Sequence, residues 1–217
     1  MRQRKTRNLE EKLEALSGYI IDDPAGLRGR WRSIYKNGTK ESPFCLEIGC
    51  GKGKFLTETA KAHPDWLLLA IEGQPSVALH ALQRIDAEGV ENIFLVLKYL
   101  REIRSLFADG EIDRLYLNFS DPWPKLKHEK RRLTNGKRLL DYAKIIKKGG
   151  FIEFKTDNDG LFEYSVKQIE KCPVLETVFI TRDLHSDVPL SEIITTEYED
   201  KFSARGKNIN YISAKVL

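Results

Sequence analysis

The amino-acid sequence predicts an α/β fold: a mostly parallel, doubly wound sheet of about seven strands flanked by helices. Three observations predict it. From Phe44 onward, short apolar runs alternate with stretches whose apolar residues recur at helical spacing. Continuous apolar strands mark a sheet covered by helices on both faces. Three alternating glycines, Gly49, Gly51 and Gly53, stand where the first run meets the first helical stretch, and such turns sit at the ligand crevice of open α/β sheets.

Each element can be justified in order. Residues 1–30 are expected to form a basic arm and a short helix, and residues 31–217 a single domain. Arg2, Arg4, Lys5 and Arg7 open the chain with no acid among them, either as a solvated tail or as an arm that touches a polyanion. Leu9, Leu13 and Leu16 then recur at helical spacing. Phe44–Ile48 reads as the first strand. Phe55, Leu56, Thr59 and Ala60 give a helical face that stops before Pro64. Trp66–Ile71 is the second strand. Val77, Ala78, Ala81, Leu82 and Ile85 form a helix closed by Gly89. Ile93–Leu97 and Leu115–Asn118 are the third and fourth strands. Leu139, Tyr142, Ala143 and Ile146 form a helix expected to end at Gly149-Gly150, and Phe151–Phe154 is the fifth strand. Leu161, Phe162, Ser165, Val166 and Ile169 make a further helix, and Val174–Ile180 and Ile209–Lys215 close the sheet. The polar stretch 183–207 is poorly periodic and reads as an ordered loop with some helix, and a connection that long tends to be functional.

Composition narrows the setting. The 217 residues are enough to bury a sizeable core. The run Trp66–Ile71 falls far short of the ~20 apolar residues of a membrane helix, and no apolar stretch follows the basic N-terminus, which argues against a secretory signal. Cys45, Cys50 and Cys172 form no C-x-x-C pair, so a metal site or disulfide framework is not expected and a reducing cytoplasm is. Monomer and homodimer both suit this composition. The net charge of +4 is unevenly spread. The first seven residues and the stretch 125–138, with seven bases and one acid, hold the excess, and the rest of the chain is net acidic.

The glycine turn, Leu46-Glu47-Ile48-Gly49-Cys50-Gly51-Lys52-Gly53, lets backbone approach a ligand closely. Its spacing is G-x-G-x-G, not the G-x-G-x-x-G of dinucleotide sites. Glu72, at the end of the second strand, can accept hydrogen bonds from ribose hydroxyls. The pattern E-x-G-x-G-x-G resembles the first motif of Rossmann-like S-adenosylmethionine-dependent methyltransferases. After the fourth strand, Asp121-Pro122-Trp123-Pro124-Lys125 forms a stiff loop that places a carboxylate and an aromatic ring beside the crevice. Trp123 either stacks on a base or packs in the core. The basic run that follows, from Lys125 to Arg138, suits a phosphate backbone.

Together with Phe154-Lys155-Thr156-Asp157-Asn158 and Thr196-Glu197-Tyr198-Glu199, these segments resemble bacterial tRNA (guanine-N7-)-methyltransferases of the TrmB family, in the family's order and over nearly the whole chain from about Arg30. The resemblance implies S-adenosylmethionine as cofactor, held by Glu47, Gly49, Gly51 and Glu72, with Asp121 both catalytic and cofactor-proximal. It implies tRNA as partner, with no metal and no membrane. Lys125, Asp157, Thr196, Glu197, Tyr198 and Glu199 correspond to substrate-binding positions. Lys127, His128, Glu129, Lys130, Arg131 and Arg132 correspond to the stretch that contacts RNA. Tyr99 stands where the family usually carries an acid facing the adenine, a departure that leaves a phenol or backbone groups to read that base. Three rival readings remain: a methyltransferase acting on an amino group of adenine or cytosine, an NAD-linked oxidoreductase, and a non-catalytic RNA-binding protein with a methyltransferase fold.

Overall fold

A computed structural model describes residues 7–35, 37–39 and 41–217; Arg2, Arg4 and Lys5 of the expected arm lie outside them. The strands are β1 (Phe44–Ile48), β2 (Leu67–Ile71), β3 (Ile93–Val96), β4 (Ile112–Asn118), β5 (Ile146–Thr156), β6 (Leu175–Thr181) and β7 (Asn210–Val216). The helices are α1 (Leu9–Glu14), α2 (Lys54–Ala62), α3 (Pro75–Glu88), α4 (Gly136–Ile145), α5 (Asp159–Glu170), α6 (Leu184–Asp187) and α7 (Glu197–Ser203). The seven strands form one sheet in the order β3-β2-β1-β4-β5-β7-β6. Neighbours from β3 to β5 run parallel, and β7 runs antiparallel to both β5 and β6. The predicted fold class is therefore observed.

Side-chain alternation along the strands explains the layering. Phe44, Leu46 and Ile48 point into a core shared with Leu139 and Tyr142 of α4 and Phe162 of α5. Cys45, between them, points to the opposite core, with Phe55 of α2 and Ala81 and Leu82 of α3. Strands buried on both faces need apolar residues at every position, which is why their runs are continuous. Glu47 shares the period of Cys45 and so projects toward the α2 side, where it is almost fully enclosed.

The chain passes from β1 outward to β2 and β3, then returns to pair β4 on the other side of β1. The carboxyl ends of β1 and β4 thus flank a topological switch point, the usual crevice for ligands in open α/β sheets. The glycine turn follows β1 and the Asp-Pro-Trp loop follows β4, so topology alone brings the two motifs together.

The boundary before β5 differs from expectation. The helix before β5 stops at Ile145, and Gly149-Gly150 lie inside the strand. The pairing register explains them: Ile112 faces Ile146 but Arg114 faces Phe151, so β5 bulges opposite β4. Gly149 takes a left-handed φ of 82°, and a Cβ on Gly150 would lie 2.5 Å from the Asp113 carbonyl oxygen. Glycine serves a bulge there, not a helix end.

Before β1 the chain wraps the sheet. Ile21 N–H donates to the Leu95 carbonyl at 2.8 Å. Trp31 is fully buried, its ring 5.4 Å from that of Phe107, and its indole N–H donates to the Leu106 carbonyl at 2.8 Å. The polar stretch 183–207 carries α6, a single turn at Leu190–Glu192, and α7. None of the described helices is long and apolar enough to cross a membrane.

Candidate active site

The glycine turn floors a cavity of about 340 Å³ lined by Glu47, Gly49, Cys50, Gly51, Asn118, Phe119 and the start of α7. Gly49, Gly51 and Gly53 all take left-handed φ values of 82°, 58° and 80°, which cost a residue with a Cβ ~1–2 kcal/mol each. Their surroundings differ. A Cβ on Gly49 or Gly51 would meet nothing within 4 Å, whereas on Gly53 it would lie 2.9 Å from Ala81 Cβ. The first two glycines leave backbone bare toward open space; the third lets α2 sit close on α3.

Glu47 is the chemically unusual group. It is 1% exposed. Oε1 accepts from Asn118 Nδ2 at 2.8 Å, while the buried Oε2 has no hydrogen-bond partner among the described residues. Desolvation pushes its pKa up to about 8, against the lowering effects of the Asn118 hydrogen bond and the Lys155 charge. Glu72 reaches the same turn from β2: Oε2 accepts from Gly51 N–H at 3.2 Å and Oε1 from Gln74 N–H at 2.9 Å. Tyr99 is 69% exposed and lies against Gly73, next to Glu72, where a Cβ would overlap its ring.

The opposite wall is α7. Thr196 caps it: Oγ1 accepts from Glu199 N–H at 2.9 Å, and Glu199 Oε2 accepts from Thr196 N–H at 3.2 Å, a capping box. Glu199 is fully buried and faces away from the cavity. Its carboxylate accepts from Lys155 Nζ at 3.3 Å and lies 2.8 Å from His185 Nε2. Lys155 also donates to the Ile194 carbonyl at 2.9 Å, and burial holds its pKa below the ordinary lysine value. Other ion pairs tie α7 to α3, the glycine turn and α2: Glu197 to Arg84 at 2.5 Å and to Lys52 at 3.8 Å, and Asp200 to Lys54 at 2.5 Å. Tyr198, 43% exposed, sits with its ring 5.1 Å from Phe119. Burial and the facing Asp157 carboxylate raise its pKa.

The Asp-Pro-Trp loop forms the rim. Phe119 and Trp123 take positive φ values of 50° and 39°, conformations that strain bulky residues and cluster at functional sites. Asp121 and Lys125 are exposed beyond the cavity. Trp123 is half-buried, with the Arg131 guanidinium 4.7 Å above its ring and His128 edge-on at 5.7 Å. Lys127, Lys130 and Arg131 face solvent. Glu129 and Arg132 turn inward: Glu129 Oε1 accepts from Tyr164 OH at 2.9 Å, and Arg132 donates to loop carbonyls.

The geometry thus gathers Glu47, Gly49, Gly51, Thr196, Glu197 and Tyr198 around one cavity, with Glu72 bonded to its floor. Asp121 and Lys125 are not among its lining residues, and Asp157 lies against Tyr198. Tyr99 flanks Gly73, and the run 127–132 continues outward. Sequence reasoning assigned no role to Asn118, Phe119 or Lys201, which also line the cavity. The first two had a signal, since Asn118 ends β4 at the switch point and Phe119 follows it directly. Among the described residues no group of three or more His, Cys, Asp or Glu could hold a metal ion.

Known proteins resemble this chain over nearly its whole length. Residues 41–212 match the model of a family described as "Putative methyltransferase". A protein of Geobacillus kaustophilus described as tRNA (guanine-N(7)-)-methyltransferase is 44% identical, covering 96% of this chain and 94% of that protein. One from Lactococcus lactis, described in the same words, is 41% identical over 100% of this chain and 99% of its own. Among solved structures, a SAM-dependent methyltransferase from Aquifex aeolicus superposes with a TM-score of 0.56 at 14% identity, covering 98% of this chain and 100% of that one. The fold is accordingly Rossmann-like and of the methyltransferase type.

Proposed function

The chain belongs to the tRNA (guanine-N(7)-)-methyltransferase family, and from that premise we propose that it transfers a methyl group from S-adenosylmethionine to N7 of a guanine in tRNA, giving 7-methylguanosine. The observation that carries the reading is the unpartnered Oε2 of Glu47, buried at the floor of the cleft. A buried acceptor without a donor costs on the order of 1–3 kcal/mol, so a donor is expected from a ligand. The amino-acid end of S-adenosylmethionine carries such a donor, an ammonium. Glu72 stands where it can accept from ribose hydroxyls, and bare backbone at Gly49 and Gly51 allows close approach. The cavity of about 340 Å³ is of ligand size.

When bound, this cofactor supplies a methyl group on a positively charged sulfur. Guanine N7 carries an in-plane lone pair and no proton, so the protein needs neither a nucleophile nor a strong base. Its task is to hold the base in line, a proximity effect. Asp121, at the rim, stabilises the positive charge that develops on the base. To Asp157 and Glu197, the further candidate carboxylates, we assign acceptance from the guanine N1–H and amino group, which would select guanine. Tyr198 and Phe119 offer ring faces to a base drawn out of its stack. Lys127, Lys130 and Arg131 carry the phosphate backbone past the rim. Three free, buried cysteines suit the reducing cytoplasm in which we place the reaction.

Incubation with bulk tRNA and methyl-labelled S-adenosylmethionine, followed by nucleoside analysis, tests the reading. Labelled 7-methylguanosine is expected. A methylated adenosine or cytidine, or no product, would overturn it. Asp121→Ala should abolish turnover with a thermal melt matching the parent, because the side chain is exposed and its loss removes no packing.

A further inference from the structure

The basic run 125–132 looks uniform in sequence but is divided in the structure. Arg131 is exposed, while its neighbour Arg132 is only 9% exposed. Arg132 Nε donates to the Pro122 carbonyl at 3.1 Å and the Trp123 carbonyl at 3.3 Å, and Nη2 donates to the Trp123 carbonyl at 3.1 Å. The guanidinium carbon lies over the Tyr164 ring, 4.2 Å from its centre. Tyr164 OH in turn donates to Glu129 and accepts from Asn135 Nδ2 at 3.1 Å. Asn135 caps α4 and Tyr164 belongs to α5. One buried fork therefore fastens the rim loop to two core helices.

We propose that Arg132 is a positioning residue for Asp121: its guanidinium staples the Pro122 and Trp123 carbonyls to Tyr164 and so holds the strained rim loop in place, and it does not contact phosphate. The loop needs such a staple. Pro122 and Pro124 have no N–H, so the segment cannot tie itself down with a backbone ladder. Trp123 at a φ of 39° persists only if its surroundings over-determine it. A planar fork that both donates to two carbonyls and stacks on a ring is a task lysine cannot perform. Asp121 sits one residue before the stapled pair, so a loosened loop misplaces its carboxylate. Small misplacements of that kind are costly in turnover.

The inference rests on the proposed activity for its kinetic consequence, but not for its structural one. Arg132→Lys should speed hydrogen exchange at the amides of Asp121, Trp123 and Lys125. It should lower kcat at saturating tRNA about tenfold or more, the effect of ~1.4 kcal/mol in the barrier. The salt slope of tRNA binding should match the parent, since no phosphate contact is lost. Tyr164→Leu, which removes the ring under the guanidinium and its hydroxyl's bond to Glu129 but leaves the net charge unchanged, should show the same three results and serves if the first variant folds poorly. The proposal is overturned by loop exchange equal to the parent's, by an unchanged kcat, or by a shallower salt slope. If the parent protein fails to methylate tRNA, the activity is wrong, and the exchange experiment still decides the staple.

Discussion

At the scale of a residue, Glu47, the acid we propose to meet the cofactor, is held at a cost to the fold. Burial lifts its pKa from the ordinary value near 4.5 to about 8. The folded chain therefore binds a proton more readily than the unfolded chain between these two values. Linkage then makes the ligand-free protein lose stability as pH rises from about 4.5 to about 8, since the unfolded state releases the proton first. Replacing the group with a neutral isostere should remove that loss. Glu47→Gln is expected to melt higher than the parent at pH 8 and near it at pH 4.5, measured without ligand. The same variant should bind S-adenosylmethionine about ten- to a hundredfold more weakly, the range expected for ~1.5–3 kcal/mol in a charge-assisted hydrogen bond. The parent's affinity should rise with pH toward 8 as the carboxylate ionises, and the variant's should stay flat. A parent with no pH dependence in calorimetric titration would show that the carboxylate meets no cationic donor.

At the scale of an element, the glycine turn separates two roles that the letters G-x-G-x-G make look alike. Gly49→Ala adds a methyl where nothing lies within 4 Å, so its stability cost is the strain of a φ of 82°, ~1–2 kcal/mol, and the methyl projects into open space at the cleft. Gly53→Ala adds the same strain and also drives a methyl to 2.9 Å from Ala81 Cβ, pushing α2 off α3. Denaturant unfolding should show Gly53→Ala to be the less stable of the two. Equilibrium binding of S-adenosylmethionine should show Gly49→Ala weakened even where the fold is intact. Equal unfolding midpoints would mean that the helix pair relaxes freely. The turn itself was legible because glycines between a strand and a helix have few other uses. So was the run of strands, because burial on both faces forces unbroken apolar segments. The bulge at Gly149-Gly150 was not, since glycine after a helical face also fits a helix end, and only the register opposite β4 decides between them. The helix α7 had a local signal, the Thr196…Glu199 capping box, within a segment otherwise too polar to show periodicity. The Lys155–Glu199–His185 cluster had none: its members come from β5, α7 and α6, and no local pattern announces a contact made by folding.

At the scale of the whole molecule, charge placement bears on how the proposed tRNA substrate would be engaged. The chain is +4 overall, yet outside residues 1–7 and 125–138 it is net acidic. Some of its acids are paired with its own bases: Glu197, Asp200 and Glu199 with Arg84, Lys54 and Lys155. Lys127, Lys130 and Arg131, which face solvent, are the contacts we propose for phosphates as a tRNA approaches the cleft. The sequence showed where positive charge was dense, but not that Arg132 and Glu129 point inward, because orientation along one turn depends on what Tyr164 offers from another helix. Each phosphate neutralised adds ~0.7–0.9 to the slope of log K against log salt. The variant with Lys127, Lys130 and Arg131 all changed to Ala should therefore bind tRNA with a slope shallower by ~2–3. Its affinity for S-adenosylmethionine should be untouched, because these side chains lie outside the cavity lining. Filter binding of tRNA across a salt series checks this directly. A parental slope in the triple variant would mean that tRNA reaches the cleft by another face, and that the dense charge of the run only keeps the rim solvated.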